Sequence, residues 1–254
     1  MVVLVFFLRY NVVGDYMERL QKIIANSGYC SRRKAEEFIL KNKVMVNGKI
    51  VNELGYKASS NDDIIIDGCT ITKQDKVYYL LYKPRGYITS TSDDKKRKVV
   101  TDLIDTNKRI YPIGRLDYDT TGLLILTNDG NLANYLMHPK NKVDKVYLAK
   151  ISGFLTGDEI KKLTKGIYID GVKTSEAKVK VRKKDYKNKT SLVNITIHEG
   201  KNHQVKKMFE AVNHEVLKLK REKVAFLDLK GLKSGEYREL NPKEVKQLYN
   251  YFNN

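Results

Sequence analysis

Cysteine is nearly missing from this chain. Of 254 residues only Cys30 and Cys69 carry a thiol, far apart and in no Cys-x-x-Cys pair. That excludes a disulfide framework and a thiolate metal site. A chain of this length buries a core without such staples, and a reducing cytoplasm suits it. Long apolar runs are missing too. The run that opens Met1–Tyr16 ends at Leu8, too short to cross a bilayer, and it lacks the basic n-region and cleavage site of a signal peptide. Residues 1–16 are expected to be an extension, with an extra strand or a short hydrophobic arm as the alternative. No P-loop, dinucleotide fingerprint or zinc spacing occurs. His138, His198, His203 and His214 are not spaced to gather a metal and read as structural or surface residues.

Acidic residues are in short supply. Thirty Asp and Glu face 48 Lys and Arg, for a formal charge of +18. A surplus of that size favours polyanions, and nucleic acid is the commonest. The basic side is 37 Lys to 11 Arg in a chain rich in Asn, Ile and Tyr, a mix that AT-rich coding also produces.

What is present begins at Met17. Leu20, Ile23 and Ile24 mark one helical face, and Ser27-Gly28 breaks it, Gly being suited to a helix C-cap. Ser31 stands where an N-cap belongs, ahead of Ala35, Phe38 and Ile39 at helical spacing. Arg32, Arg33 and Lys34 crowd the first turn. Cations there oppose the helix macrodipole, so the fold gains nothing from them, whereas a phosphate partner accounts for them; a solvated basic turn is the plainer reading. Two β-prone runs then flank Asn47-Gly48, a hairpin signal, and Ile64-Ile65-Ile66 supplies a further strand. The string ERLQKIIANSGYCSRRKAEEFILKNKVMVNGKIV resembles an S4 RNA-binding domain. That resemblance implies contact with structured RNA through Arg32, Arg33, Lys34 and the hairpin's Lys49, and no chemistry.

Thr70–Lys76 is polar and reads as a linker, which divides the chain into a head at 17–68, a linker at 69–76 and a larger domain at 77–254. In the larger part short strands are predicted at 77–82, 123–126, 146–149, 177–181 and 192–197, with a helix starting near His203 and a weaker one over 158–163. Many short strands separated by turns favour an α+β domain on a mixed, mainly antiparallel sheet. Its most informative segment is GRLDYDTTGLLILTNDG at 114–130, an acid-bearing loop that feeds an apolar strand. Catalytic groups commonly sit on such loops. Asp117 and Asp119 are open on this basis to acid–base work, to a metal, or to shaping a turn through side-chain to backbone bonds.

This string resembles the signature of the RsuA/RluB-type RNA pseudouridine synthases. Three further segments match the family in order: Lys83-Pro84-Arg85-Gly86, Lys145-Val146-Tyr147, and EGKNHQVKKMF at 199–209. The resemblance implies that Asp117 is the catalytic carboxylate and Asp119 a turn-forming acid. It implies that Tyr147 packs on the target uracil and that Lys206 pairs with Asp117. Lys206 stands where Arg is commoner, and Lys keeps the charge but loses the bidentate fork. Arg115 is expected at the substrate, and Lys83, Arg85 and Lys207 on RNA. The implied reaction breaks the uracil N1–C1′ bond and rejoins the base through C5, with no cofactor and no metal. The implied partner is ribosomal RNA or a pre-ribosomal particle, bound by a monomer in the cytoplasm with no membrane involved. The EGKNHQVKKMFEAVNHEVLKLKR region and the S4-like unit resemble the large-subunit (23S) branch more closely. The alternatives are a small-subunit (16S) enzyme and a non-catalytic S4-type RNA-binding or ribosome-associated protein.

Overall fold

A computed structural model describes residues 17–250; the expected extension at 1–16 lies outside them. The chain divides between Asp75 and Lys76 into two compact units.

The smaller unit has helices α1 (Leu20–Asn26) and α2 (Arg32–Leu40). They pack on strands β1 (Val44–Val46), β2 (Lys49–Ile50), β3 (Ile64–Ile66) and β4 (Cys69–Thr70), in sheet order β2-β1-β3-β4. Ser31 caps α2, its hydroxyl accepting from the Lys34 amide at 3.1 Å. Asn47 and Gly48 both have positive φ, 50° and 77°, which a two-residue hairpin turn requires. Leu20, Ile24, Ala35, Ile39, Val44 and Ile66 are fully buried between the layers. Arg32, Arg33, Lys34 and Lys49 are exposed, so this unit keeps its apolar stripe inside and its cations in water.

The larger unit is built on one nine-stranded sheet. Its main strands are β5 (Tyr78–Lys83), β6 (Thr121–Thr127), β7 (Lys145–Ser152), β8 (Lys178–Asp185), β9 (Thr190–Ile197), β10 (Val216–Val224) and β11 (Tyr237–Glu239). Their order is β8-β9-β7-β10-β6-β5-β11, and Tyr111–Pro112 and Leu227–Asp228 pair off this path. Every pairing is antiparallel except β10 with β6, which run parallel and meet only at Lys220–Thr121 and Arg221–Gly122. The sheet is therefore mixed and mainly antiparallel, and the fold is α+β.

Alternation along the strands fills two cores. Leu81, Leu124, Leu126, Ala149, Ile151, Val193 and Ile195 face helices α4 (Gly157–Thr164) and α5 (Gln204–Glu210). Leu80, Leu123 and Ile125 face α3 (Gly130–Met137) and α6 (Pro242–Asn250) on the other side. Because β6 is buried on both faces, its sequence is a continuous apolar run. Strand β10 escaped sequence reading. Its VLKLKREKV carries more charge than apolar surface, since only alternate residues reach the core.

Candidate active site

The segment that links Ile113 to β6 ends where β6 and β10 begin to pair, and its backbone is held by residues 83–89. The Lys83 ammonium, at the end of β5, donates to the carbonyls of Pro84 (3.1 Å), Asp117 (3.0 Å) and Thr120 (2.9 Å). The Thr89 hydroxyl donates to the Leu116 carbonyl at 2.6 Å and accepts from the Leu116 amide at 3.2 Å. Gly86 donates its amide to the Tyr118 carbonyl, and the Arg85 Nε to that of Asp119, each at 3.0 Å. With Leu116 buried as an anchor, the loop presents its two carboxylates on a fixed backbone.

Lys83 corrects an expectation. It was read from sequence as an RNA contact, but its side chain is 0% exposed and its three donors are spent on carbonyls of the same unit. Burial lowers its pKa to about 8, against the raising effect of Asp117 and Asp119.

The loop opens on a cleft of about 430 Å³, within the range of small-ligand sites. Arg115, Asp117, Tyr147 and Lys206 all line it. They come from the loop, from the middle of β7 and from α5, elements separated by up to 91 positions between Arg115 and Lys206. Lys206 sits 3.4 Å from the Asp117 Oδ2. Its ammonium donates more closely to Asp119, at 2.7 and 2.9 Å to the two oxygens. Asp119 is thus not limited to shaping the turn: its carboxylate holds the cation expected on Asp117. Partial burial pushes the Asp119 pKa up, yet the Lys206 hydrogen bonds and charge outweigh it and hold the carboxyl below its usual range.

Two lining residues, His203 and Arg221, carried no functional expectation from the sequence. His203, read as structural or surface, brings its Nε2 to 3.7 Å from the Asp117 Oδ1. It adopts a left-handed backbone, φ 54°, uncommon for a non-glycine residue, and this turns the chain into α5. The preceding turn is closed by the Gln204 side chain, whose Nε2 donates to Glu199 at 2.6 Å and whose Oε1 accepts from the Lys201 backbone amide at 2.9 Å. Arg221, on β10, is 4% exposed. Its Nε donates to the Leu123 carbonyl at 2.7 Å, and its Nη1 reaches the Tyr147 hydroxyl at 3.5 Å. Lys145 also lines the cleft; burial and the neighbouring Arg221 charge bring its pKa down to about 8.

The other basic residues lie elsewhere. Arg85 is exposed beside the loop. Lys207 points off the cleft lining and pairs with Asp170, so its charge is already engaged. Arg32, Arg33, Lys34 and Lys49 belong to the smaller unit, where Lys34 pairs with Glu37 at 2.8 Å. Among the described residues no group of three or more His, Cys, Asp or Glu is arranged to hold a metal ion, and no helix is long and apolar enough to cross a membrane.

Residues 77–211 match the family described as RNA pseudouridylate synthase, and residues 18–64 match the S4 domain. A Bacillus subtilis protein named ribosomal large subunit pseudouridine synthase B is 56% identical over 91% of this chain and 96% of its own length. An Aquifex aeolicus RNA pseudouridine synthase of uncharacterised role is 41% identical over 91% of this chain and 93% of its own. A crystal structure of a pseudouridylate synthase superposes with a TM-score of 0.65 at 32% identity, over 91% of this chain and 99% of that one. The chain carries an S4 RNA-binding domain and belongs to the RNA pseudouridylate synthase family.

Proposed function

We propose that this chain converts a uridine of large-subunit ribosomal RNA to pseudouridine, with Asp117 as its catalytic carboxylate. One observation carries the reading: a carboxylate, an aromatic ring and a cation from three separate elements open on the same cleft. The substrate class rests on the name of the Bacillus subtilis relative. Residues 17–68 serve as the RNA-binding head, 69–76 as linker and 77–254 as the catalytic domain, acting in the cytoplasm.

The reaction conserves atoms and oxidation state. The N1–C1′ bond breaks, the uracil turns, and C5 bonds to C1′; C5 gives up its proton and N1 takes one up. A base stacked in RNA does not reach the loop, so the nucleotide is flipped out at roughly a few kcal/mol. Tyr147 restores stacking worth about 1–3 kcal/mol. Asp117 acts on the sugar–base junction, with Lys206 and His203 close to its carboxylate. Arg115, exposed at the rim, contacts the flipped nucleotide. Arg32, Arg33, Lys34, Lys49 and Arg85 hold neighbouring phosphates.

The test is tritium release from RNA labelled at uridine C5. Asp117→Asn is expected to abolish release while RNA binding persists. Undiminished release by a folded Asp117→Asn protein sinks the assignment.

A further inference from the structure

Within the described residues of the larger unit, the half of the sheet formed by β8, β9, β7 and β10 has a helix-packed core on one face. Tyr147, Ala149, Val193, Ile195 and Leu219 turn toward α4 and α5. On the opposite face Val146, Leu148 and Leu192 are half-buried and belong to neither core.

Strand register fixes what surrounds them. Lys218, Lys150, Leu192 and Lys183 form one row across the four strands, and Lys220, Leu148, Asn194 and Lys180 the next. A row of four strands spans roughly 14 Å. Nearby charges are partly engaged: Lys220 with Glu222, Lys178 with Asp144 and Lys223 with Asp228. Asp185 lies near Lys150 and Lys183, but its carboxylate is committed to Asn188. Lys150, Lys180, Lys183 and Lys218 have no carboxylate within ion-pairing distance among the described residues.

Lys150 and Lys218 are moreover direct cross-strand partners. Like charges placed opposite each other destabilise a sheet, so the fold itself gains nothing from this pair. Lysines also guard exposed edges against strand pairing. That accounts for Lys180 and Lys183 on the edge strand β8, but not for Lys150 and Lys218, which sit on interior strands. Lys150 is half-buried and Lys218 exposed, and lysine stems can lie along apolar surface with the ammonium group in water.

We propose that this lysine-bearing face is a second RNA-binding surface, which takes the phosphate backbone of a segment distant from the target uridine. It lies on the side of the sheet away from Tyr147, so it cannot be the cleft's own nucleotide. The proposal rests on the reading of the substrate as a large RNA. Duplicated contacts of this kind neutralise phosphates without reading sequence.

The test replaces Lys150, Lys180, Lys183 and Lys218 by Gln together. RNA binding to the full chain is measured against salt concentration, with a ribosomal RNA domain as the probe. Each lost phosphate contact on single-stranded RNA lowers the slope of log affinity against log salt by about 0.7. Loss of all four therefore reduces the slope by about 3. If the fourfold variant does not fold, the pair Lys150→Gln and Lys218→Gln is used. It removes a repulsion, is expected to melt no lower than the parent, and gives about half the slope change. Lys150→Arg with Lys218→Arg is expected to retain the slope. An unchanged slope and affinity in a folded variant overturns the proposal. Tritium release by the unaltered chain is read in parallel, so failure of the surface and failure of the enzyme assignment are told apart.

Discussion

Lys206 is shared between two carboxylates: it bonds both oxygens of Asp119 at 2.7 and 2.9 Å and stands 3.4 Å from Asp117. The cation is therefore held in place by the acid outside the cleft lining and remains close to the one that lines it. Lys206→Gln removes the charge from both. A preorganised charge at a reacting centre is worth about 10²–10³ in turnover, and a loss of about 10²-fold in kcat is expected. Asp119→Asn should cost less, about tenfold or under, because Lys206 then turns fully to Asp117. Steady-state tritium release on both variants checks the order; equal losses would show that Asp119 does more than hold the lysine.

Lys83 is expected to matter through the loop backbone. Its removal in Lys83→Met takes this donor from the carbonyls of Pro84 and Thr120 and leaves that of Asp117 with the Thr120 amide alone. A buried acceptor left alone costs about 1–3 kcal/mol, so a loss of at least that size is expected in denaturant unfolding. Burial lowers the folded-state pKa to about 8, whereas the free side chain titrates near 10.4. Between these values the unfolded chain binds more protons than the folded one, so the Lys83 contribution to stability rises with pH across about 8 to 10.4. The stability gap between parent and Lys83→Met should therefore widen from pH 7.5 to pH 10. Lys145, with the same displaced range, is present in both proteins and cancels. A gap that narrows over this range refutes the assignment.

Much of this was legible in the chain itself. Strands β5, β6, β7, β8 and β9 show in runs of apolar or alternating residues, and the Ser31 cap and Asn47-Gly48 turn in local chemistry that needs no tertiary partner. The site was legible only as motifs. Spacing cannot show that a lysine is swallowed by backbone carbonyls, so Lys83 looked like a surface cation. Nor can it choose between two acids two residues apart, so Lys206 was given to Asp117 alone. His203 and Arg221 escaped because their roles arise from where a left-handed turn and a charged strand meet the sheet. Arg221 sits in a stretch of alternating Lys and Leu whose inward members are set by register, and register is a property of the assembled sheet.

Arg221 and Tyr147 separate ring from hydroxyl. The Tyr147 ring lines the cleft while its oxygen turns to the buried guanidinium at 3.5 Å. If the ring supplies stacking, Tyr147→Phe keeps turnover near that of the parent, within about threefold, while Tyr147→Ala loses the 1–3 kcal/mol of a stacked base, about 5- to 150-fold. Arg221→Met strands the Leu123 carbonyl and lowers melting temperature as well as turnover. Comparison of kcat and KM on the three variants decides. A Phe variant as impaired as the Ala variant would move the essential function from the ring to the hydroxyl.

Gly122 gives the sharpest stability prediction. It lies in the parallel contact between β6 and β10, opposite Arg221, with φ at 118°. A Cβ built there falls 2.2 Å from the Arg221 carbonyl oxygen and 2.5 Å from its amide nitrogen. Both obstacles are backbone, so neither rotates away, and the positive φ adds strain for any L side chain. Gly122→Ala must push β6 from β10 at the junction that carries the Asp117 loop on one side and Arg221 on the other. Overpacking of a fixed core costs typically 1–3 kcal/mol, and with the added backbone strain a loss of about 3 kcal/mol or more is expected. Gly114→Ala is the control. It lies in the same loop with positive φ, 72°, but a Cβ there meets nothing within 4 Å, so it should cost only about 1 kcal/mol of strain. Urea unfolding of the two proteins measures the difference. Equal losses would mean that strain alone, rather than the approach of β10, requires glycine at position 122.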